Sequence, residues 1–183
     1  MTLMTAISLA SAAGLNAYIP LLVFGLLARY SDLVVLPAGW EWLAHPILLG
    51  IVALLLIVEL VADKIPAVDS VNDIIQTLIR PTSGGIMFGS SAAIDGTGEI
   101  NWWAVAAGVA IALVVHLTKA TTRPVVDAGT LGTGTVVVSS VGDAASLSLS
   151  VLGILAPILA LILLVAVIAG AVWMVVKVRS RLA

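Results

Sequence analysis

The charges of this chain are confined to a few places, and most of its length carries none. No charged residue precedes Arg29, and only His45 is ionisable between Glu41 and Glu59. The stretches Asn101–His116 and Ala144–Val176 also lack Asp, Glu, Lys and Arg. Runs of this kind read as transmembrane helices, because a hydrocarbon core of about 30 Å takes about 20 helical residues. Four spans fit, roughly 3–29, 46–63, 101–121 and 145–176. The first and last exceed one straight crossing, and each contains a proline, Pro20 and Pro157. Both are therefore expected to be kinked or broken.

Composition agrees. Of 183 residues, 61% are hydrophobic and 10% are charged, against about 25% charged in soluble domains; the mean hydropathy is +1.22. Eight Lys and Arg stand against ten Asp and Glu, a net charge of −2, so the basic excess of a nucleic-acid binder is missing. The absence of cysteine removes disulfides, thiolate nucleophiles and Cys-type metal sites. The first run has no basic residue ahead of it, so it reads as a span and not as a cleaved leader. The expected fold is an all-α integral membrane protein, one domain over 1–183. If both termini share a side, that side carries Lys64, Arg80, Lys177, Arg179 and Arg181 against Arg29, Lys119 and Arg123. The excess places both termini in the cytoplasm. Trp40, Trp42, Trp102, Trp103 and Trp173 fall near span ends, as an aromatic belt does.

Two connections are patterned. In 64–100, Pro66 starts a helix, and Asp69, Asn72, Asp73, Gln76 and Arg80 fall three and four apart on one polar stripe. This amphipathic helix is expected to end before Pro81, too short to span and so interfacial or re-entrant. Thr82-Ser83-Gly84-Gly85 then leads into a second apolar stretch, closed by Asp95-Gly96. The second connection, 119–144, is rich in glycine and threonine, and reads as another re-entrant half-helix segment. Pro66-Ala-Val-Asp69 and Pro124-Val-Val-Asp127 echo each other, as do Arg80-Pro81 and Arg123-Pro124. The two registers are incompatible, but either would make an inverted repeat of the kind found in secondary transporters.

The polar residues inside apolar runs are the candidate sites. Gly14-Leu-Asn16-Ala-Tyr18-Ile-Pro20 interrupts the first run with an amide and a hydroxyl, a suitable place for an ion or an anionic headgroup, or for bonding a neighbouring helix. Glu59 and Asp63 share a helix face with Lys64 beside them. An intramembrane carboxylate is a candidate proton or cation site, unless it pairs with Lys64 or Arg80. Asp69, Asp73, Asp127 and Asp143 fit helix caps. His116, Lys119 and Arg123 form a basic group that can hold a phosphate or carboxylate, or anchor the helix end at the interface. No spacing supports a metal site, and nothing marks an enzyme: there is no Cys, no metal-spaced His set and no nucleophile elbow. No cofactor is expected.

Gly14-Leu-Asn-Ala-Tyr18-Ile-Pro20 and Ala62-Asp63-Lys64-Ile-Pro66-Ala-Val-Asp69-Ser70, with Arg80-Pro81 and the later Lys119…Arg123…Ser140…Asp143 pattern, resemble a bacterial family known as domain of unknown function 4126. The resemblance covers nearly the whole chain and implies a small multi-span protein of the bacterial inner membrane. It supplies no activity. Where the family carries an acidic pair near the second serine motif, this chain has Gly142-Asp143.

The expected function is a small transporter or channel moving an ion or small solute through a polar cavity between broken helices, with a homodimer expected from the small size. The sites expected to bind are Asn16, Tyr18, Glu59, Asp63, Asp69, Asp73, Arg80, His116, Lys119, Arg123 and Asp127. Two alternatives stand beside it: binding or flipping of an anionic lipid or lipid carrier, and a non-transporting subunit of a membrane complex.

Overall fold

The computed structural model describes residues 1–92, 100–130 and 134–182, excepting the side chains of 66–71, 124, 125, 127–130, 135, 178, 179, 181 and 182. Asp95 and its turn lie outside the described residues. So do the side chains of Asp69 and Asp127. The described residues form seven α-helices and one 3-10 turn, Glu41–Ala44, with no strand among them. The helices are α1 Leu3–Leu15, α2 Tyr18–Tyr30, α3 Pro46–Ala62, α4 Pro66–Ala92, α5 Trp102–Thr130, α6 Gly134–Leu155 and α7 Pro157–Leu182.

Helix α1 is the centre of the bundle. Its sequence is mostly Ala, Ser, Gly and Leu, and every residue from Ala6 to Leu15 except Ile7 is buried. Small side chains let backbones approach closely, which is how helices pack where water gives no hydrophobic drive between them. A Cβ on Gly14 would lie 2.6 Å from the carbonyl oxygen of Ala112. The α4–α5 crossing is similarly close: a Cβ on Gly84 would stand 2.7 Å from the Gly108 oxygen.

The first charge-free run is broken at Asn16 into a V of two helices. Helix α1 stops at Leu15, and α2 turns back. Gly25 packs on Leu43 and Leu49, and Tyr18 and Ala17 pack with Val52, so α2 runs antiparallel to α3. Helix α1 runs antiparallel to α6, since Ser8 abuts Gly153 while Asn16 reaches Asp143. The tip of the V, Asn16-Ala17, therefore lies deep in the bundle, and both outer ends of the V lie at one end of it.

The last charge-free run is two helices. It breaks at Ala156, before Pro157. Helices α6 and α7 then fold back, so that Val137 and Val141 share a groove with Gly170 and Trp173. The chain ends are consequently at opposite ends of the bundle. The start of α1 sits beside Ala104 and Phe88, where α5 begins and α4 ends, while α7 runs away from that end. The expectation of termini on one side assumed that the first run is a single pass, whereas it folds back as α1 and α2.

The first patterned connection does not end its helix before Pro81. Helix α4 continues through Pro81 to Ala92. Proline removes a backbone donor and disfavours helix at the residue before it, but tight packing at Gly84-Gly85 on α5 holds the helix together, as neighbouring helices do in membranes. In the second connection, 119–144, α5 extends to Thr130 and α6 starts at Gly134, and residues 131–133 lie outside the described residues. Pro66 opens α4 whereas Pro124 lies inside α5, so the Pro-x-Val-Asp echo joins unlike positions. Three helices hold stretches long and apolar enough to cross a membrane: Trp102–Arg123, Val136–Leu155 and Pro157–Lys177. Of the tryptophans, Trp40 departs from the belt and is buried against Gly89. Trp42, Trp102, Trp103 and Trp173 are exposed.

Candidate functional site

The site begins with the tip of the V. At Leu15 the last carbonyls of α1 lose their helical partners, and at Tyr18 the first amides of α2 have none. Asn16 serves α2: its Oδ1 accepts from the amides of Tyr18 at 3.1 Å and Ile19 at 3.2 Å. Its Nδ2 donates to Asp143 Oδ1 at 2.9 Å. The carbonyls are met from other helices. Lys119 Nζ donates to the Leu15 oxygen at 2.9 Å, Ser83 Oγ to the Ala17 oxygen at 2.6 Å and Ser146 Oγ to the Ala12 oxygen at 2.9 Å. The polar break is thus fully embedded in protein, the condition under which irregular backbone survives away from water.

Beneath the tip lies a cluster of buried charges from α3, α4, α5 and α6. Asp63, which caps α3, is its hub and is 0% exposed. Its Oδ2 accepts from Ser139 Oγ at 2.8 Å and Arg123 Nη2 at 3.1 Å. Arg80 Nη2 and Lys119 Nζ each stand 3.7 Å from the same oxygen. Its Oδ1 accepts from Asn72 Nδ2 at 2.7 Å. Arg123 also donates to Asp73 Oδ2 at 2.8 Å. Charged groups out of water cost several kcal/mol each unless paired and hydrogen-bonded, and Asp63 meets that condition on both oxygens.

Glu59 heads the other half of the cluster. Arg80 Nη2 donates to its Oε1 at 3.0 Å, with both side chains enclosed. Arg80 Nη1 sits 3.2 Å from His116 Nδ1. Arginine has no acceptor, so Nδ1 is the acceptor and His116 is the neutral tautomer with hydrogen on Nε2. That nitrogen lies 3.0 Å from Thr77 Oγ1, whose own hydrogen goes to the Asp73 carbonyl at 2.8 Å. Arg80 and Arg123, each followed in sequence by a proline, reach Asp63 from neighbouring helices, with Glu59 on Arg80 alone.

Three cations, Arg80, Lys119 and Arg123, face four carboxylates, Glu59, Asp63, Asp73 and Asp143. Acceptors remain unmet: Glu59 Oε2, Asp73 Oδ1, Gln76 Oε1 and Asp143 Oδ2 are buried without a hydrogen-bond partner. Buried oxygens in this condition call for a proton, a cation or water. Among the described residues, no three His, Cys, Asp or Glu groups gather as metal ligands.

The structure brings together Asn16, Glu59, Asp63, Asp73, Arg80, His116, Lys119 and Arg123. Tyr18 opens α2 and is buried in the packing at the tip, with Ala17 and Val52. Asp69 and Asp127 lie on α4 and α5, with side chains outside the description. Asp143, expected as a helix cap, instead holds Asn16 across the bundle. Ser139 carried no expectation, although Ser139 and Asp143 lie four apart on one face of α6. Asn72 and Gln76 belonged to the polar stripe; Gln76 and Arg80 are buried, and Asn72, partly buried, donates to Asp63.

Residues 3–177 match the model of a family described as Domain of unknown function (DUF4126). Neither a curated protein nor a solved structure matches the chain.

Proposed function

We propose that this chain, a member of the domain of unknown function 4126 family, is a small membrane transporter or channel that moves an ion or small solute past its buried charge cluster. The observation that carries this reading is the meeting of two helix ends, at Leu15 and Tyr18, with a cluster whose carboxylates retain unmet oxygens. Discontinuous helices whose ends point at charged groups near mid-membrane are the usual build of ion and substrate sites in secondary transporters. Unmet carboxylate oxygens on Glu59 and Asp143 are where a proton or cation would be taken up as the coupled species.

The same packing supports a membrane frame. Helix α1 has 13 residues, a length of about 20 Å at the usual rise, short of a core of about 30 Å. It enters with α2 as a re-entrant hairpin. Helices α3 to α7 make the crossings, five in place of the expected four. Lys64, Lys177, Arg179 and Arg181 then gather at the end away from the N-terminus, with Arg29 at the other. The positive-inside tendency puts the C-terminus in the cytoplasm of a bacterial inner membrane and the N-terminus outside.

Flux into proteoliposomes is the test. Wild type is loaded with a pH-sensitive dye, under sodium, potassium and proton gradients in turn, and compared with Glu59→Gln. The expected outcome is cation- or proton-dependent flux in wild type and its loss in the variant, which keeps the Oε1 acceptor for Arg80. Equal flux from both proteins, or none from either, overturns the reading.

A further inference from the structure

A second site lies on the other side of Lys119. Helices α5, α6 and α7 enclose a groove of about 520 Å³, within the range of about 300–1,000 Å³ typical of small-molecule pockets. Its wall is Val114, Val115, Val137, Val141, Leu164 and similar residues, and it includes Lys119 but no carboxylate. We propose that this groove binds a bilayer lipid with an anionic phosphate headgroup, the acyl chain along the wall and the phosphate on Lys119.

Three observations carry the assignment. The first is the wall, which apart from Thr118, Thr122 and Lys119 is apolar and is the natural surface for a hydrocarbon chain. It lies on helices whose outer residues Val137, Val141, Ile168 and Trp173 are exposed, so it opens sideways toward lipid. The second is the ammonium. Lys119 has three N–H donors; one goes to the Leu15 oxygen at 2.9 Å, and its nearest carboxylate oxygen, on Asp63, is at 3.7 Å, beyond hydrogen-bond length. An anionic oxygen arriving from the groove would meet a buried cation that still has hydrogens to give. The third is the space in front of that cation. Gly142 lines the groove, and a Cβ there would stand 3.1 Å from Lys119 Nζ. The missing side chain keeps the otherwise buried Lys119 at the groove wall. Lys177, stacked over the Trp173 ring at 4.3 Å, adds positive charge beside the wall. This site is independent of whether the charge cluster conducts.

The groove can be filled without touching the cluster. Gly170 lines it, and a Cβ at Gly170 meets nothing within 4 Å, so Gly170→Leu adds its side chain at an open position of the wall. Delipidated full-length protein in detergent is titrated with phosphatidylglycerol, phosphatidylcholine of the same chains, and glycerol 1-phosphate, with binding read by native mass spectrometry. Phosphatidylglycerol is expected to bind at least about tenfold tighter than phosphatidylcholine. Gly170→Leu is expected to weaken it by about tenfold with an unchanged melting temperature, and Lys119→Gln to erase the headgroup preference. Glycerol 1-phosphate alone is expected not to bind. Equal binding of the two lipids, full binding by Gly170→Leu, or glycerol 1-phosphate binding as tightly as the lipid would each overturn the proposal. If Lys119→Gln does not fold, the lipid comparison and Gly170→Leu still decide.

Discussion

Lys119 donates a hydrogen bond to the backbone oxygen of Leu15, a residue 104 positions earlier. Leu15 is the last residue of a buried helix, where carbonyls lack partners and the helix dipole is negative. A cation from α5 thus closes α1 from outside, while its other side faces Asp63. Replacing it by Lys119→Met removes both interactions and leaves buried acceptors behind. The expected loss is about 3–5 kcal/mol, seen as a lower melting temperature in detergent by scanning fluorimetry. A variant as stable as wild type would show that the closure is not needed.

Arg123 bridges two carboxylates of unequal burial. Asp63 is enclosed, whereas the Asp73 side chain is 23% exposed. Arg123→Ala leaves Asp63 short of its nearest cation and should cost about 3–5 kcal/mol. Asp73→Asn keeps an acceptor for Arg123 at a partly wet position, and should cost about 1 kcal/mol or less. Unfolding midpoints of the two single variants check the ranking, and the reverse order would refute it.

Asn16 performs two tasks with one amide, and they separate by substitution. Asn16→Ala removes the cap on α2, worth about 1 kcal/mol, and also strands Asp143. Asn16→Asp retains the acceptor for Tyr18 and Ile19 but sets a carboxylate against Asp143. The aspartate variant should therefore be restored toward wild-type stability by Asp143→Asn, while the alanine variant should not. A melting-temperature cycle over these proteins is the measurement.

The glycines at the α4–α5 crossing should not tolerate a side chain. Gly84→Val places carbon against Gly108 backbone, and overpacking of this kind costs about 1–3 kcal/mol or more. Gly50→Val on α3 has nothing within 4 Å of its new Cβ and should leave the protein as stable as before. Expression with monodisperse gel filtration separates the two; equal behaviour would mean that the crossing can relax.

What could be read along the chain was governed by local rules. The breaks at Asn16 and Pro157 announce themselves, because proline and a buried amide do not suit an uninterrupted apolar helix. The membership of the cluster was also largely readable, since charges inside apolar runs must find one another. Pro81 misleads for the converse reason: its local preference is to end a helix, and contacts with α5, far along the chain, outweigh it. Asp143 and Ser139 were hidden because their partners, Asn16 and Asp63, lie on other helices.

By itself, the order of residues determined the solvent of this protein, the positions of its helix breaks and the short set of ionisable groups that must be buried. Those follow from hydrophobicity and backbone geometry, which act over neighbouring residues. Tertiary structure alone decided that the first run folds back into a hairpin, that the chain ends lie at opposite ends of the bundle and that Asp63 is the hub of three cations. These depend on which helices touch, and close packing of small residues such as Gly84 on Gly108 selects those contacts across long distances in the chain.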